Sequence, residues 1–249
     1  MISKKVIVCD LDGTLALSKS PISQNMAETI CRVLSRHYMA VISGGGYDQF
    51  KKQFLSRLLC EKEVLQNLIL FPTMGAACYR YDPSTNDWRK VYENMLTKEE
   101  QKQIKDALNE AMKESGFDFS GAYGEIVENR GTQVTFSGRG ERAPLEVKEV
   151  WDPKQEKRRQ IIEILERKIP QFEIRLGGST SIDITRKGID KSYAIGNIKK
   201  ELHVSDEDII FVGDALYKGG NDAPVKKTGV DYIQESGPEE AILLLKQYV

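Results

Sequence analysis

Short apolar runs that end in acidic, hydroxyl or glycine residues recur through the first part of the chain. Val6-Ile7-Val8-Cys9 stops at Asp10, Tyr38-Met39-Ala40-Val41-Ile42 stops at Ser43-Gly44-Gly45-Gly46, and Leu68-Ile69-Leu70-Phe71 follows. Unbroken apolar runs of this length are those of strands buried on both faces, as in a parallel sheet. Between them the pattern predicts a helix over residues 23–37, with Ser23 as N-cap, and a second over 48–59. This βαβαβ alternation predicts a doubly wound parallel sheet.

The pattern changes near Ala76. Residues 77–81 and 88–92 flank the turn-rich stretch Asp82-Pro83-Ser84-Thr85-Asn86-Asp87, which reads as a hairpin. Residues 97–115 predict a helix opened by the capping box Thr97-Lys98-Glu99-Glu100. A strand over 132–137, a helix over 154–168 and strands over 172–176 and 181–185 follow. Parallel rhythm resumes after Lys187, with a helix over 191–202, the strand Ile209-Ile210-Phe211-Val212 ending at Gly213-Asp214, a strand over 230–233 and a helix opened by Pro238. The expected fold class is α/β: a Rossmann-like core from residues 1–82 and 187–249, with residues 83–186 inserted as an α+β cap domain.

Composition narrows the function. The 249 residues are 40% hydrophobic and 29% charged, with a net charge of −1, so nucleic acid is not an expected partner. No apolar stretch reaches membrane-spanning length, and the apolar run after the basic N-terminus stops at Asp10, unlike a signal peptide. A cytoplasmic protein is expected, as a monomer or homodimer. Its four scattered cysteines, Cys9, Cys31, Cys60 and Cys78, read as reduced thiols. With two histidines in the chain, a zinc site is not expected.

Acidic residues fall just beyond predicted strands: Asp10 and Asp12, then Asp214 with Asp222. In an open parallel sheet the C-terminal strand ends converge on one crevice. Carboxylates without histidines suit Mg²⁺, which neutralises a phosphate and lets an aspartate approach it as a nucleophile. Asp12 is placed to act as acid and base. Ser43 and Gly44 form a candidate phosphate cradle, and Lys191 offers a positive charge to the same phosphate.

These residues resemble the four motifs of the haloacid dehalogenase superfamily of phosphotransferases: D-x-D-G-T at Asp10–Thr14, a hydroxyl at Ser43, a lysine opening a helix at Lys191, and an acidic pair at Asp214 and Asp222. The resemblance implies Asp10 as nucleophile, Asp12 as general acid/base, Ser43 and Lys191 on the phosphoryl group, and Mg²⁺ on Asp10, the Asp12 carbonyl and Asp214, with Asp222 a further ligand or a support to the others. A narrower resemblance, to the phosphomannomutase branch, lies in the long spacing from Gly213-Asp214 to Gly219-Gly220-Asn221-Asp222, in Gly177–Asp183, and in Glu128-Asn129-Arg130. It implies sugar-phosphate contacts from Arg130, Ser181 and Asp183, with Arg139, Arg142 and Asn221 as further candidates.

Two positions depart from that branch. Lys19 stands where mutases carry an arginine nine residues after the nucleophile, and Glu141 where they carry one four residues after the cap serine. A mutase must grip the distal phosphate of a bisphosphate, and a bidentate guanidinium does this best. Hydrolysis of a small phosphorylated sugar is therefore the favoured expectation, with Lys19 among the substrate contacts and a phosphohexomutase as the alternative. A catalytically silent phosphosugar-binding protein is the third reading, against which stands the presence of every charged catalytic position.

Overall fold

A computed structural model describes residues 4–18 and 20–249. Along the chain run β1 (Val6–Asp10), α1 (Gln24–Leu34), β2 (Tyr38–Ile42), α2 (Tyr47–Gln53), α3 (Lys62–Leu65), β3 (Leu68–Phe71), β4 (Ala77–Asp82) and β5 (Asp87–Glu93). Then come α4 (Lys98–Ser115), β6 (Val127–Asn129), β7 (Val134–Ser137), α5 (Leu145–Trp151), α6 (Glu156–Lys168), β8 (Phe172–Leu176) and β9 (Ser181–Arg186). The chain closes with α7 (Lys191–Leu202), β10 (Ile209–Gly213), β11 (Asp231–Gln234) and α8 (Pro238–Leu245). The chain divides into two compact units, one of residues 1–93 and 190–249, the other of residues 94–189.

The first unit is built on a seven-stranded sheet in the order β11-β10-β1-β2-β3-β4-β5. Strands β11 to β3 are parallel, and β4 and β5 add antiparallel at one edge. Both faces are covered, as the unbroken apolar runs require. Ile7 and Cys9 of β1 pack with Met26, Ile30 and Val33 of α1 and with Ala241 and Leu245 of α8. Val6 and Val8, pointing the other way, pack with Ala194, Ile195 and Ile198 of α7. Met26, Ile30 and Val33 are fully buried, and side chains of this kind each contribute about 1.5–3 kcal/mol on burial. Ser23 caps α1, its hydroxyl accepting from the Met26 N–H at 3.2 Å.

The sequence expectations need correction in several places. The second hairpin strand, β5, pairs along β4 in the large sheet. The inserted unit therefore begins at Asn94 and ends at Ile189, not at 83 and 186. The helix expected over 48–59 ends at Gln53, where Phe54 is fully buried and the chain tightens into a 3-10 turn, Leu55–Arg57. Cys31 and Cys60 are not reduced thiols. Their Cα atoms lie 5.2 Å apart and their sulfurs are bonded, while Cys9 and Cys78 are free and buried. Spacing could not show this, because the pair is 29 residues apart and meets only where α1 and α3 pack together.

The inserted unit holds a four-stranded antiparallel sheet in the order β6-β7-β9-β8. One face carries Val134, Phe136, Ile182 and Ile184 against Ile104 and Leu108 of α4 and Ile161 and Leu165 of α6. The alternating positions Thr135, Ser137, Ser181 and Asp183 line the other face, with Thr135 opposite Asp183 and Ser137 opposite Ser181. The Thr97–Glu100 capping box forms as expected. Among the described residues no helix is long and apolar enough to cross a membrane.

Candidate active site

Strand order places the site. From β1 the sheet grows one way through β2 and β3 and the other way through β10 and β11. The crevice at such a switch point, beyond the strands' C-terminal ends, is where open α/β sheets bind ligands. Asp10 ends β1, Ser43 follows β2, Asp214 follows β10, and Glu235 follows β11. Lys191 opens α7, whose N-cap Asp190 accepts from the Ser192 N–H at 2.8 Å.

The loop after β1 is a tight turn. Leu15 and Ala16 N–H donate to the Leu11 carbonyl at 3.0 Å, and Gly13 N–H to the Ala16 carbonyl at 2.7 Å. Thr14 donates its hydroxyl to Glu235 at 2.7 Å, which ties the loop to the end of β11. After β2, the Ser43 hydroxyl accepts from the Gly45 N–H at 3.0 Å, with Gly44 between them. This loop is buttressed from β3: Thr73 N–H donates to the Gly45 carbonyl and Met74 N–H to the Ser43 carbonyl, both at 2.9 Å. Thr73 and Met74 both have positive φ, 50° and 59°, which for residues other than glycine is a strained state that surrounding structure must hold.

At the centre, Lys191 is fully buried and its ammonium donates to both Asp10 and Asp222. Asp222 also accepts from the Ala215 N–H at 2.9 Å. Oxygens of Asp10, Asp214 and Asp222 lie within 4.8 Å of one another. Three carboxylates gather around one ammonium, an excess of negative charge in a largely buried site. The electrostatics follow. Burial pushes the Asp10 carboxyl well above its ordinary range, Lys191 pulling it back and Asp222 and Asp214 adding to the rise. Burial, then the charge of Asp222, pushes Asp214 up to about 6. Burial raises Glu235 as well. For Lys191, burial acts to depress the ammonium, but the charges and hydrogen bonds of Asp10 and Asp222 outweigh it and the group is raised. A hard divalent cation would relieve this crowding, and the all-oxygen donor set fits one.

Asp12 is held differently. Gln49 donates to its Oδ2 at 2.7 Å and Gln53 to its Oδ1 at 2.9 Å. Neither glutamine, nor Glu235, was expected from the sequence. A signal was available for the glutamines: their spacing of four on the helix following the glycine-rich loop puts both side chains on one face.

The structure thus brings together Asp10, Lys191, Asp214 and Asp222. The candidates in the inserted unit are placed as follows. Asp183 accepts from Gln133 at 2.7 Å and Thr135 at 2.8 Å, and the Ser137 and Ser181 hydroxyls meet at 3.3 Å. Arg130 is paired with Glu128 at 2.6 Å. Arg139 donates to the Ser120 and Gly121 carbonyls, and Arg142, largely exposed, lies beside Glu141. In the first unit, Asn221 Oδ1 is buried without a hydrogen-bond partner among the described residues. Lys19 lies outside the described residues.

Fold and site together fit an α/β enzyme of the phosphoryl-transfer class. A family model for haloacid dehalogenase-like hydrolases matches residues 7–224, and the chain belongs to that family. Among its curated relatives is the phosphomannomutase of Schizosaccharomyces pombe, 27% identical over 225 residues, covering 88% of this chain and 84% of that protein. The Saccharomyces cerevisiae phosphomannomutase is 22% identical over 222 residues, covering 87% and 83%. Among solved structures, an IMP-bound Plasmodium falciparum IMP-nucleotidase has the same fold, with a TM-score of 0.74 at 14% identity over 99% of this chain and 68% of that one. A haloacid dehalogenase-like hydrolase from Bacteroides thetaiotaomicron superposes with a TM-score of 0.63 at 17% identity, over 99% of this chain and 100% of its own.

Proposed function

We propose that this protein is a Mg²⁺-dependent phosphatase of a small phosphorylated sugar, working through an aspartyl phosphate on Asp10. The observation that carries the reading is the buried Lys191 ammonium seated between Asp10 and Asp222, beside Asp214, at the switch point of the sheet. That arrangement keeps a nucleophilic carboxylate ordered next to a fixed positive charge, where a phosphoryl group must dock. Mg²⁺ held by Asp10, the Asp12 carbonyl and Asp214, with Asp222 as support, would neutralise phosphoryl oxygens.

In the first half-reaction an Asp10 oxygen bonds to phosphorus, the bond from phosphorus to the sugar oxygen breaks, and Asp12 gives its proton to that oxygen. In the second, a water oxygen bonds to phosphorus and the bond to Asp10 breaks. Asp12 takes the water's proton, and inorganic phosphate leaves with both aspartates restored. Ser43, Gly44 and Lys191 hold the phosphoryl group throughout.

Water as final acceptor is favoured by the state of the inserted unit's guanidiniums. Arg130 is paired with Glu128 and Arg175 with Glu173, while Arg139 is spent on loop carbonyls. Paired guanidiniums are poorly suited to gripping a second phosphate. The test is a panel of phosphate esters with Mg²⁺, on the native chain and on Asp10→Asn. Release by the native chain alone is expected, and release retained in the variant would sink Asp10 as nucleophile.

A second reading, a phosphohexomutase, is favoured by the curated relatives, which are phosphomannomutases. Incubation with mannose 1-phosphate and a hexose bisphosphate separates the two: free phosphate supports hydrolysis, and the 6-phosphate supports the mutase. Cleavage of any ester removes the silent binding protein.

A further inference from the structure

We propose that Gln49 and Gln53 are positioning residues for the acid–base carboxylate of Asp12, an inference that rests on the phosphatase reading above. Each Asp12 oxygen accepts from a different amide, Oδ2 from Gln49 at 2.7 Å and Oδ1 from Gln53 at 2.9 Å. Gln49 also donates to Gln53 Oε1 at 2.8 Å, so the three side chains close a ring. One hydrogen bond would leave the carboxylate free to turn about it; two, at opposite oxygens, fix the plane of the group. The geometry comes from the helix, since residues four apart in α2 stack on one face.

The surroundings are built to keep both amides in place. Gln53 is almost fully buried, 3% exposed, and its backbone carbonyl accepts from the Ile22 N–H at 3.0 Å. A glutamine buried to that degree needs its polar atoms satisfied, and Asp12 and Gln49 do so. Gln49 lies over Gly45, where a Cβ would stand 2.3 Å from Gln49 Oε1. The glycine therefore leaves room for the amide. Neutral donors also hold the carboxylate without adding a charge beside a group that exchanges a proton twice per turnover.

The chemistry supplies a readout that a merely structural role would not move. A sugar alkoxide leaves phosphorus only if Asp12 protonates it as the bond breaks, whereas a nitrophenolate leaves unprotonated. Steps up to the first P–O cleavage govern kcat/KM. Gln49→Met, Gln53→Met and the double variant keep side-chain length and remove the N–H donors. The double variant is expected to lose roughly 10–100-fold in kcat/KM on a hexose phosphate, a part of the full acid–base contribution, and less than about threefold on p-nitrophenyl phosphate. Gln49 is only half-buried, so Gln49→Met keeps the test open should the Gln53 change disturb folding. Mg²⁺ affinity by calorimetry should stay unchanged in all three. Equal losses on both esters, or weakened Mg²⁺ binding in parallel, overturn the positioning role and leave the phosphatase reading standing. No turnover of any ester by the native chain overturns that reading, and the positioning role with it.

Discussion

The carboxylate of Asp214 lies against the Cα of Gly13, so close that a Cβ there would stand 2.6 Å from Asp214 Oδ2. Gly13 also has φ of +101°, a conformation other residues rarely adopt. The loop after β1 and the loop after β10 therefore meet at a backbone surface with no room for a side chain. Gly13→Ala should add about 1–3 kcal/mol of local strain and push Asp214 away. Calorimetry should show weaker Mg²⁺ binding, and turnover should fall with it, while Asp10 itself is untouched.

Lys191→Met tests the central ion cluster. The variant keeps most of the stem's volume and leaves Asp10 and Asp222 facing each other without a counter-charge. Removing one partner of a buried ionic group typically costs about 3–5 kcal/mol, readable as a lower urea midpoint. The pH dependence has a definite sign. Asp10, raised chiefly by burial, binds its proton more tightly folded than unfolded. Its contribution to stability is therefore gained as pH falls through the folded value and lost as pH rises through it. Without Lys191 that rise is larger, so the gap between variant and native chain should be smaller at about pH 5.5 than at about pH 7.5.

Metal binding should be sensitive to acid in a window set by Asp214. In the metal-free protein its carboxyl is raised to about 6, by burial and then by Asp222. A cation must displace that proton. Apparent Mg²⁺ affinity should weaken as pH falls through that value, by up to about tenfold per pH unit for Asp214 and further wherever Asp10, raised as well, must also lose its proton. Thermal shifts with Mg²⁺ and with chelator, measured on either side of the window, report this directly. Chelation at neutral pH should abolish ester cleavage and lower Tm.

Within the inserted unit, Arg158 and Asp152 form a pair at 2.9 Å with both side chains 3% exposed. Asp152 caps α6 by accepting from the Lys157 and Arg158 N–H groups, and Arg158 reaches on to the Gly178 carbonyl in the loop between β8 and β9. Arg158→Leu should cost about 3–5 kcal/mol and free the loop that leads into Ser181. Denaturant melts check the stability, and KM for a sugar phosphate should rise more than KM for p-nitrophenyl phosphate.

Much of the core was legible because its physics is local. Strands buried on both faces must be continuously apolar, and their ends must turn, so β1, β2, β3 and β10 stand out together with Asp10, Ser43 and Asp214 at their ends. Lys191 was recognisable only through its motif, since a buried lysine looks like any other in a sequence. The hairpin strand β5 was given to the insert because a turn-rich stretch reads as a change of domain, whereas hydrogen bonding to β4 decides where it belongs. Gln49 and Gln53 carry no charge, and their spacing of four marks only a shared face of α2; what that face meets is settled only once α2 is set beside the loop of Asp12. The left-handed turn at Thr73 and Met74 was illegible for the opposite reason, because those residue types argue against the conformation that the tertiary bonds to Ser43 and Gly45 impose.

The Cys31–Cys60 bond encloses the span that holds β2, Ser43, Gly45, Gln49 and Gln53. Seen from the denatured chain, this covalent ring confines the glycine-rich loop after β2 and the helix of both glutamines to a fraction of the conformations an open chain would sample. Closing a ring of this size removes enough disorder to be worth about 3–4 kcal/mol in the chain-entropy account. That advantage falls on one segment only. Treatment with a thiol reductant should therefore lower the denaturation midpoint and speed proteolysis within residues 31–60, while the insert keeps its own resistance.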